Sequence, residues 1–367
     1  MRTLLSICAL WALSHVAVAA QFLYVENTNS GDVTVISVPG HEVVATFKAG
    51  EHPDDVVHAP DGQTLYVNNQ FYQSAGDAPD AGVNEVTAYD TRTGTVRWRV
   101  PMPGVPHHMS LSSDGRWLYV PLFDQNFTVV VDTVEKRVAR HIFGALGAHG
   151  TKLSPDDERL YIGSMLTDAI YVVDVEQGRP IKVVNFDDGV RPFTFTGDEK
   201  FLYAQLSRLH GFDVVDLETG QILERVHLPK LPPDAPLMEA FPHTYNHGLE
   251  LSPDEKYLLA AGSAGDYVAV YTHPELELVK TIPTGAEPNW IVFTADGRYA
   301  YVTARASDEI SAIDMQTLEE VARIPSSGKY PQRMRVVDVP VERLEIGASR
   351  ETASGGTDSV GAVSRPR

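Results

Sequence analysis

Three histidines and an arginine, His107, His149, His247 and Arg191, each stand seven residues ahead of a turn aspartate: Asp114, Asp156, Asp254 and Asp198. The same offset from Asp61 and Asp296 gives Asp54 and Asn289, and alignment of Pro331 with Pro53, Pro106 and Pro288 adds Gln332. All seven are polar or ionisable, whereas the positions two and four residues on are mostly apolar, as in Met109/Leu111, Phe193/Phe195 and Ile291/Phe293. Imidazoles converging from separate segments suit a transition metal (zinc, copper or iron) with one position open for water or substrate. The same rings also serve as the polar lining of a channel. His52 and His243, in nearby loops, extend the candidate ligand set, and Glu51 and Asp54 are placed to orient a ligand's second nitrogen. Arg191 suits a carboxylate, a phosphate or a developing oxyanion better than a metal, or else pairs with Asp54 or Asp187. Arg305 reads as a solvated loop cation or as an extension of an anion site. Trp290 and Tyr72 offer an apolar wall, and Arg208 and His210 lie in a loop on the same side.

A common offset in distant segments needs a repeated element to position it. The turns APDG, SSDG, SPDD, TGDE, SPDE and TADG recur with their aspartates 42 residues apart, a spacing enlarged to 53 and 56 in two places. Each is followed by a short run such as TLYVNN, WLYVPL or RLYIGS, then a second run such as AIYVVD, a D-x-x-T-G type turn and a third extended piece. Short Val-, Ile- and Tyr-rich runs between Gly and Asp turns are strands. Four strands in about 42 residues are the signature of a propeller blade. The chain begins with FLYVEN, DVTVIS and EVVATF, lacking an inner strand, and ends with YPQRMRVVDV, one strand lacking its other three. Joined, they make a seventh blade and hide the open edges. The expectation is an all-β, seven-bladed β-propeller of four-stranded antiparallel blades over residues 21–345, with 346–367 a disordered Gly/Ser/Thr-rich tail. The two insertions, FYQSAGDAPDAG and LPPDAPLMEAFPHTYNH, fall in connections that emerge on one face, and the seven polar positions lie at that end of the inner strands. Loops on a rigid scaffold are where binding groups collect.

Residues 1–20 read as a secretory signal peptide: one Arg, an apolar stretch and small residues before Gln21. Its cleavage removes Cys8, the only cysteine, so the mature chain makes no disulfide and offers no thiolate, CxxCH haem attachment or cysteine-held cluster. The expected location is the periplasm or the medium, with no membrane insertion after cleavage. The formal charge of −19, from 49 acidic and 30 basic residues, argues against nucleic acid as a partner. It leaves a small molecule or metal ion on the inserted-loop face, and a periplasmic protein partner, as the expected contacts. No P-loop and no GxSxG elbow occurs.

The repeated SPDG/SPDE, LYV and VIDxxTG-like elements resemble the YVTN-type seven-bladed propeller family, within the wider lactonase-like and amine-dehydrogenase-beta-chain-like propellers. The likeness covers nearly the whole mature chain and rests on scaffold residues: the prolines before inner strands, the turn aspartates, and Tyr66, Tyr119, Tyr161, Tyr203 and Tyr301. It implies the fold. Its members include lactone hydrolases, surface proteins and proteins associated with quinone or haem, so it does not select a reaction. The leading expectation is an exported metal-binding enzyme acting on a small anionic or carbonyl-containing substrate, most economically by hydrolysis or lactone opening, with Arg191 in the catalytic role. The alternatives are a non-enzymatic periplasmic metal or tetrapyrrole cofactor binding or assembly protein, and the propeller subunit of a cofactor-dependent oxidoreductase.

Overall fold

The Asp turns set the repeat. In five of them a Ser or Thr hydroxyl donates to the aspartate two residues on, at 2.5–2.7 Å (Ser112, Ser154, Thr196, Ser252 and Thr294 to Asp114, Asp156, Asp198, Asp254 and Asp296). The same carboxylates accept the backbone N–H of Arg116, Glu158, Lys200, Lys256 and Arg298. The residue after each turn aspartate, Gly62, Gly115, Asp157, Glu199, Glu255 or Gly297, has a positive φ of 54–75°. Left-handed backbone there reverses the chain; Gly takes it at three of the turns, and Asp157, Glu199 and Glu255 adopt it at the others.

These turns join the first and second strands of successive sheets in the computed structural model, which describes residues 19–72, 82–229, 231, 244–340 and 344–346. The strands form seven four-stranded antiparallel sheets. Six are sequential; the seventh places Pro331–Val339 against Ala20–Asn27, followed by Asp32–Val38 and Val43–Lys48, so the two chain ends share one blade as the sequence requires. The expected signal peptide lies outside the described residues apart from its last two. Of the expected tail only Ile346 is described, and with Leu344 it packs against the closing blade.

Hydrophobic clusters form between neighbouring blades: Val57 and Tyr66 of one meet Leu118, Val120 and Val129 of the next. The second-strand tyrosines Tyr24, Tyr66, Tyr119, Tyr161, Tyr203 and Tyr301 are all buried there. Each blade thus dries its faces on two neighbours, and the inner strands are left facing a central channel.

The register shifts that matter most lie at one end of those inner strands. Pairing with the second strand skips from Pro53 to Asp55, Ala148 to Gly150, Val190 to Phe193 and Pro288 to Trp290; in the closing blade only Glu26 stands opposite Gln332 and Arg333. The residues left over are Asp54, His149, Arg191 with Pro192, and Asn289, five blades in all departing from a plain ladder at the polar register. Such bulges re-aim side chains. They turn consecutive residues toward the channel where strict alternation would hide every second one.

Candidate functional site

The polar positions assemble into a buried layer across the channel. Asp54, His107, His149, Arg191, His247 and Asn289 are all at most 5% exposed. With Gln332 they meet as the sequence register anticipates, and two further residues join them. His108 follows His107, and its backbone forms a parallel bridge to Gly150 of the next blade. Arg333 follows Gln332 and is 1% exposed, the largest fully buried side chain in the described chain.

Arg333 organises the centre of the layer. It stacks on the Trp290 ring at 4.2 Å, donates to Asn289 Oδ1 at 2.7 Å, and donates at short range to His108 Nε2. Its backbone N–H donates to Glu26 Oε1 at 3.0 Å. Burial pushes the Asp54 and Asp55 carboxyls up to about 6 even with Arg333 nearby, and lifts Glu26 well above the usual range. The histidines move the other way. Burial, then the Arg333 and Arg191 charges, lower His107 to about 3, and burial holds His108, His149 and His247 well below their ordinary value. Four neutral imidazoles therefore stand in contact: His108 and His149 at 4.3 Å between ring centroids, His149 and His247 at 5.5 Å, His107 and His149 at 5.7 Å.

Their hydrogen bonds assign them different tasks. The Tyr72 hydroxyl lies 2.6 Å from His107 Nε2, while His107 Nδ1 and Asp54 Oδ2 face each other at 3.6 Å, buried and without hydrogen-bond partners. His247 Nδ1 lies 3.1 Å from the Asn289 carbonyl, so its Nδ1–H donates and its Nε2 carries the lone pair. His108 uses Nε2 to accept from Arg333. Neither ring nitrogen of His149 makes a hydrogen bond among the described residues.

The layer separates two spaces. On the inserted-loop face lies a chamber of about 280 Å³, bordered by Tyr72, Gln70, Arg305, Tyr330 and Gln332. On the turn face lies a larger one of about 520 Å³, lined by apolar residues from several inner strands together with polar groups that include Ser110, Thr151, Lys152 and Glu250. His108, His149 and Arg191 border both. Arg191 donates through Nε to Ser207 Oγ at 3.0 Å, and burial lowers its pKa to about 10; Asp187 instead pairs with Arg225. Arg305 is not a solvated loop cation. It is 4% exposed, paired with Glu287 at 2.9 Å, 5.3 Å over the Tyr330 ring, and its Nη2 has no hydrogen-bond partner among the described residues. Glu287 and Tyr330, from adjacent connections, cover it, which loop composition alone does not reveal.

His107, His108 and His149 offer ligand nitrogens within 4.8 Å of one another and could hold a metal ion. Asp54 Oδ2, without a hydrogen-bond partner, lies 3.6 Å from His107 Nδ1 and 3.8 Å from His108 Nε2. Neutral imidazoles with a carboxylate fit zinc, copper or iron, on condition that Arg333 releases His108. His247 touches this group through His149; His52 is exposed and stands apart, and His243 lies outside the described residues. His210 bonds Pro229 O and the Tyr267 hydroxyl, a structural role. His108 and Arg333 escaped the sequence register because each follows a register residue; the adjacent pair His107-His108 was the available signal.

A family model described as "Lactonase, 7-bladed beta-propeller" matches residues 144–337. A 6-phosphogluconolactonase of Enterobacter sp. (strain 638) is 22% identical over 319 residues, covering 81% of this chain and 87% of that protein. Among solved structures, the periplasmic gluconolactonase of Pseudomonas aeruginosa superposes with a TM-score of 0.69 at 21% identity, over 88% of this chain and all of the other. A hydrazine synthase chain of Kuenenia stuttgartiensis gives 0.63 at 20% identity, over 79% and 96%. At these identities the structural likenesses establish the shared fold.

Proposed function

The chain belongs to the seven-bladed β-propeller lactonase family, and from that premise we propose that it hydrolyses a lactone at the histidine and arginine layer. The observation that carries this reading is His149: buried, held neutral, without a hydrogen bond at its ring among the described residues, and beside Arg191. A general base must reach water and substrate in its unprotonated form. His149 takes a proton from the attacking water as the water oxygen bonds to the lactone carbonyl carbon. Arg191 faces the carbonyl oxygen as it gains charge. When the ring C–O bond breaks, the proton passes from His149 to the departing alkoxide, and the product is a hydroxy acid. Its carboxylate is held by Arg191 and by the unpartnered Nη2 of Arg305. The Tyr72 hydroxyl holds the His107 ring at Nε2, with Asp54 beside its Nδ1. A transition metal held by His107, His108 and His149 would supply Lewis-acid polarisation of the carbonyl, with His149 then serving as a ligand and not as the base. The related gluconolactonases make sugar-acid lactones the first substrates to try.

The test uses untagged, exported protein, whose intact mass should lack residues 1–20. Acid release is followed by pH-stat on glucono-δ-lactone, its 6-phosphate and simple γ- and δ-lactones, before and after loading with zinc, copper or ferrous iron. Metal content and absorption spectrum are read on the same sample. His149→Ala and Arg191→Met should each lower kcat/KM by about a hundredfold or more. Absence of turnover on every lactone, loaded or not, would falsify the reading.

A further inference from the structure

The turn-face chamber is the larger of the two, and sugar chemistry does not explain its walls. Met109, Leu111, Phe193, Leu249, Ile291 and Phe293, supplied by four different inner strands or the residues just before them, face a space of about 520 Å³. That volume is in the range of small-molecule sites. The chamber is not a separate hole, because His108, His149 and Arg191 form its inner end. Its other polar groups are Lys152, which pairs with Glu250 at 2.7 Å and reaches Thr194; Ser110 and Thr151, 2.9 Å apart; His58, with Nδ1 3.0 Å from the Ala59 carbonyl; and Arg335, which donates to the Met334 carbonyl at 2.9 Å. Those groups bond to one another or to backbone carbonyls. Along the side of the chamber lined by Leu111, Phe193, Ile291 and Phe293 a polyol would give up its water without finding partners, whereas a hydrocarbon substituent would gain burial with every methylene.

We propose that the turn-face chamber is an acyl pocket: the substrate is an amphiphilic lactone whose ring meets His149 and Arg191 while its alkyl substituent lies along Phe193, Ile291 and Phe293. The ligand enters from the turn face, and the loop-face chamber, with Arg305 and Gln332, receives the carboxylate of the product. This placement rests on the lactonase reading for its reaction and on the chamber alone for its chain preference.

The two parts separate experimentally. Turnover is measured on γ-lactones with alkyl substituents from one to eight carbons, and binding of straight-chain alkanoates, which need no turnover, is measured by calorimetry. KM and Kd should each fall about threefold to fourfold per added methylene over several carbons, with kcat nearly constant. Val292→Trp, at a partly buried position on the chamber wall, should abolish the slope while short lactones keep their wild-type rate. Leu111→Ser serves the same comparison by polarity instead of bulk should the tryptophan disturb folding. A chain-length slope in alkanoate binding with no lactone turnover sustains the acyl pocket and defeats the reaction. Turnover with flat profiles in both assays, or slopes that survive both substitutions, overturns the acyl pocket and leaves the reaction standing.

Discussion

The two ends of the inner strands use the same repeat in opposite ways. At the turn end the blades are near copies. A hydroxyl donates to an aspartate, the aspartate accepts a backbone N–H, and a left-handed residue closes the turn. Even the histidine there is satisfied: His273 Nδ1 lies 2.7 Å from the Glu255 carbonyl and its Nε2 2.9 Å from the Tyr203 hydroxyl. At the other end no two adjacent blades present the same pair of residues, and polar atoms of Asp54, Asp55, His107, Asn289, Arg305 and Arg333 are buried without hydrogen-bond partners among the described residues. Buried polar groups are normally paired, so the concentration of exceptions in one layer separates function from scaffold. A stability-driven repeat would have copied its good solution to both ends.

The largest expected effect breaks this contrast at its centre. Arg333→Met removes a fully buried cation from among Asp54, Asp55 and Glu26, and stripping one partner from buried charges costs about 3–5 kcal/mol. Urea unfolding at pH 7.5 should show it, along with loss of lactone turnover. A cost below about 1 kcal/mol would mean the layer is already solvated, and the contrast with the turns would disappear.

Titration gives the next largest effect. A histidine held neutral in the fold binds a proton only after unfolding, so its contribution to stability is lost as pH falls below the unfolded value of about 6.5. For a ring such as His149, held well below that value, the loss is roughly 2 kcal/mol by pH 5. Asp54 and Asp55 act with the opposite sign. Their raised carboxyls favour the fold at low pH, and that contribution is lost as pH rises through about 4 to 6. Comparing His149→Phe with wild type isolates the imidazole. The variant's urea midpoint should gain on wild type steadily below pH 6.5, and parallel curves would show that His149 is hydrated and titrates normally.

At the turn end the expected cost is smaller and has no functional echo. Asp254→Ala removes the acceptor for Ser252 Oγ at 2.7 Å and Lys256 N–H at 3.2 Å on a largely exposed turn, for about 1 kcal/mol. Lactone turnover should stay at the wild-type rate. A larger loss than that of Arg333→Met would invert the assignment of scaffold and site.

Much of the turn end was legible in the sequence because it is built from local rules: a Ser or Thr two residues before Asp, then Gly, Asp or Glu. Blade count and closure followed from the same repeats, since Pro331–Val339 had no partners of its own and Ala20–Asn27 lacked an inner neighbour. The polar layer was half legible. Its register came from counting back to the aspartates, which places Asp54, His107, His149, Arg191, His247, Asn289 and Gln332 together. Counting by twos then hid His108 and Arg333, because alternation along a strand puts neighbours on opposite faces. The register shifts that break this rule depend on how first and second strands pair, and the sequence does not spell that out. Arg305 was misjudged for a related reason, its cover being Glu287 and Tyr330 from adjacent connections.

Gly150 gives the finest test of that hidden geometry. It sits just after the His149 register shift and opposite His108 across the blade boundary. A Cβ added there would stand 3.3 Å from His108 Nδ1 and 3.5 Å from His108 Cβ, tight enough to displace the ring by a few tenths of an ångström. The backbone needs no left-handed conformation at this position, so Gly150→Ala should cost less than about 1 kcal/mol in urea. The chemistry should suffer more than the fold. Misplacement of a catalytic group by about an ångström costs about a hundredfold, so a shift of tenths should lower kcat/KM roughly severalfold and reduce bound metal per chain in the same preparation. Unchanged turnover and metal content would show that the ring position of His108 is not critical. The register shifts at this end of the strands would then be ordinary channel architecture, and the contrast between the two ends would rest on Arg333 alone.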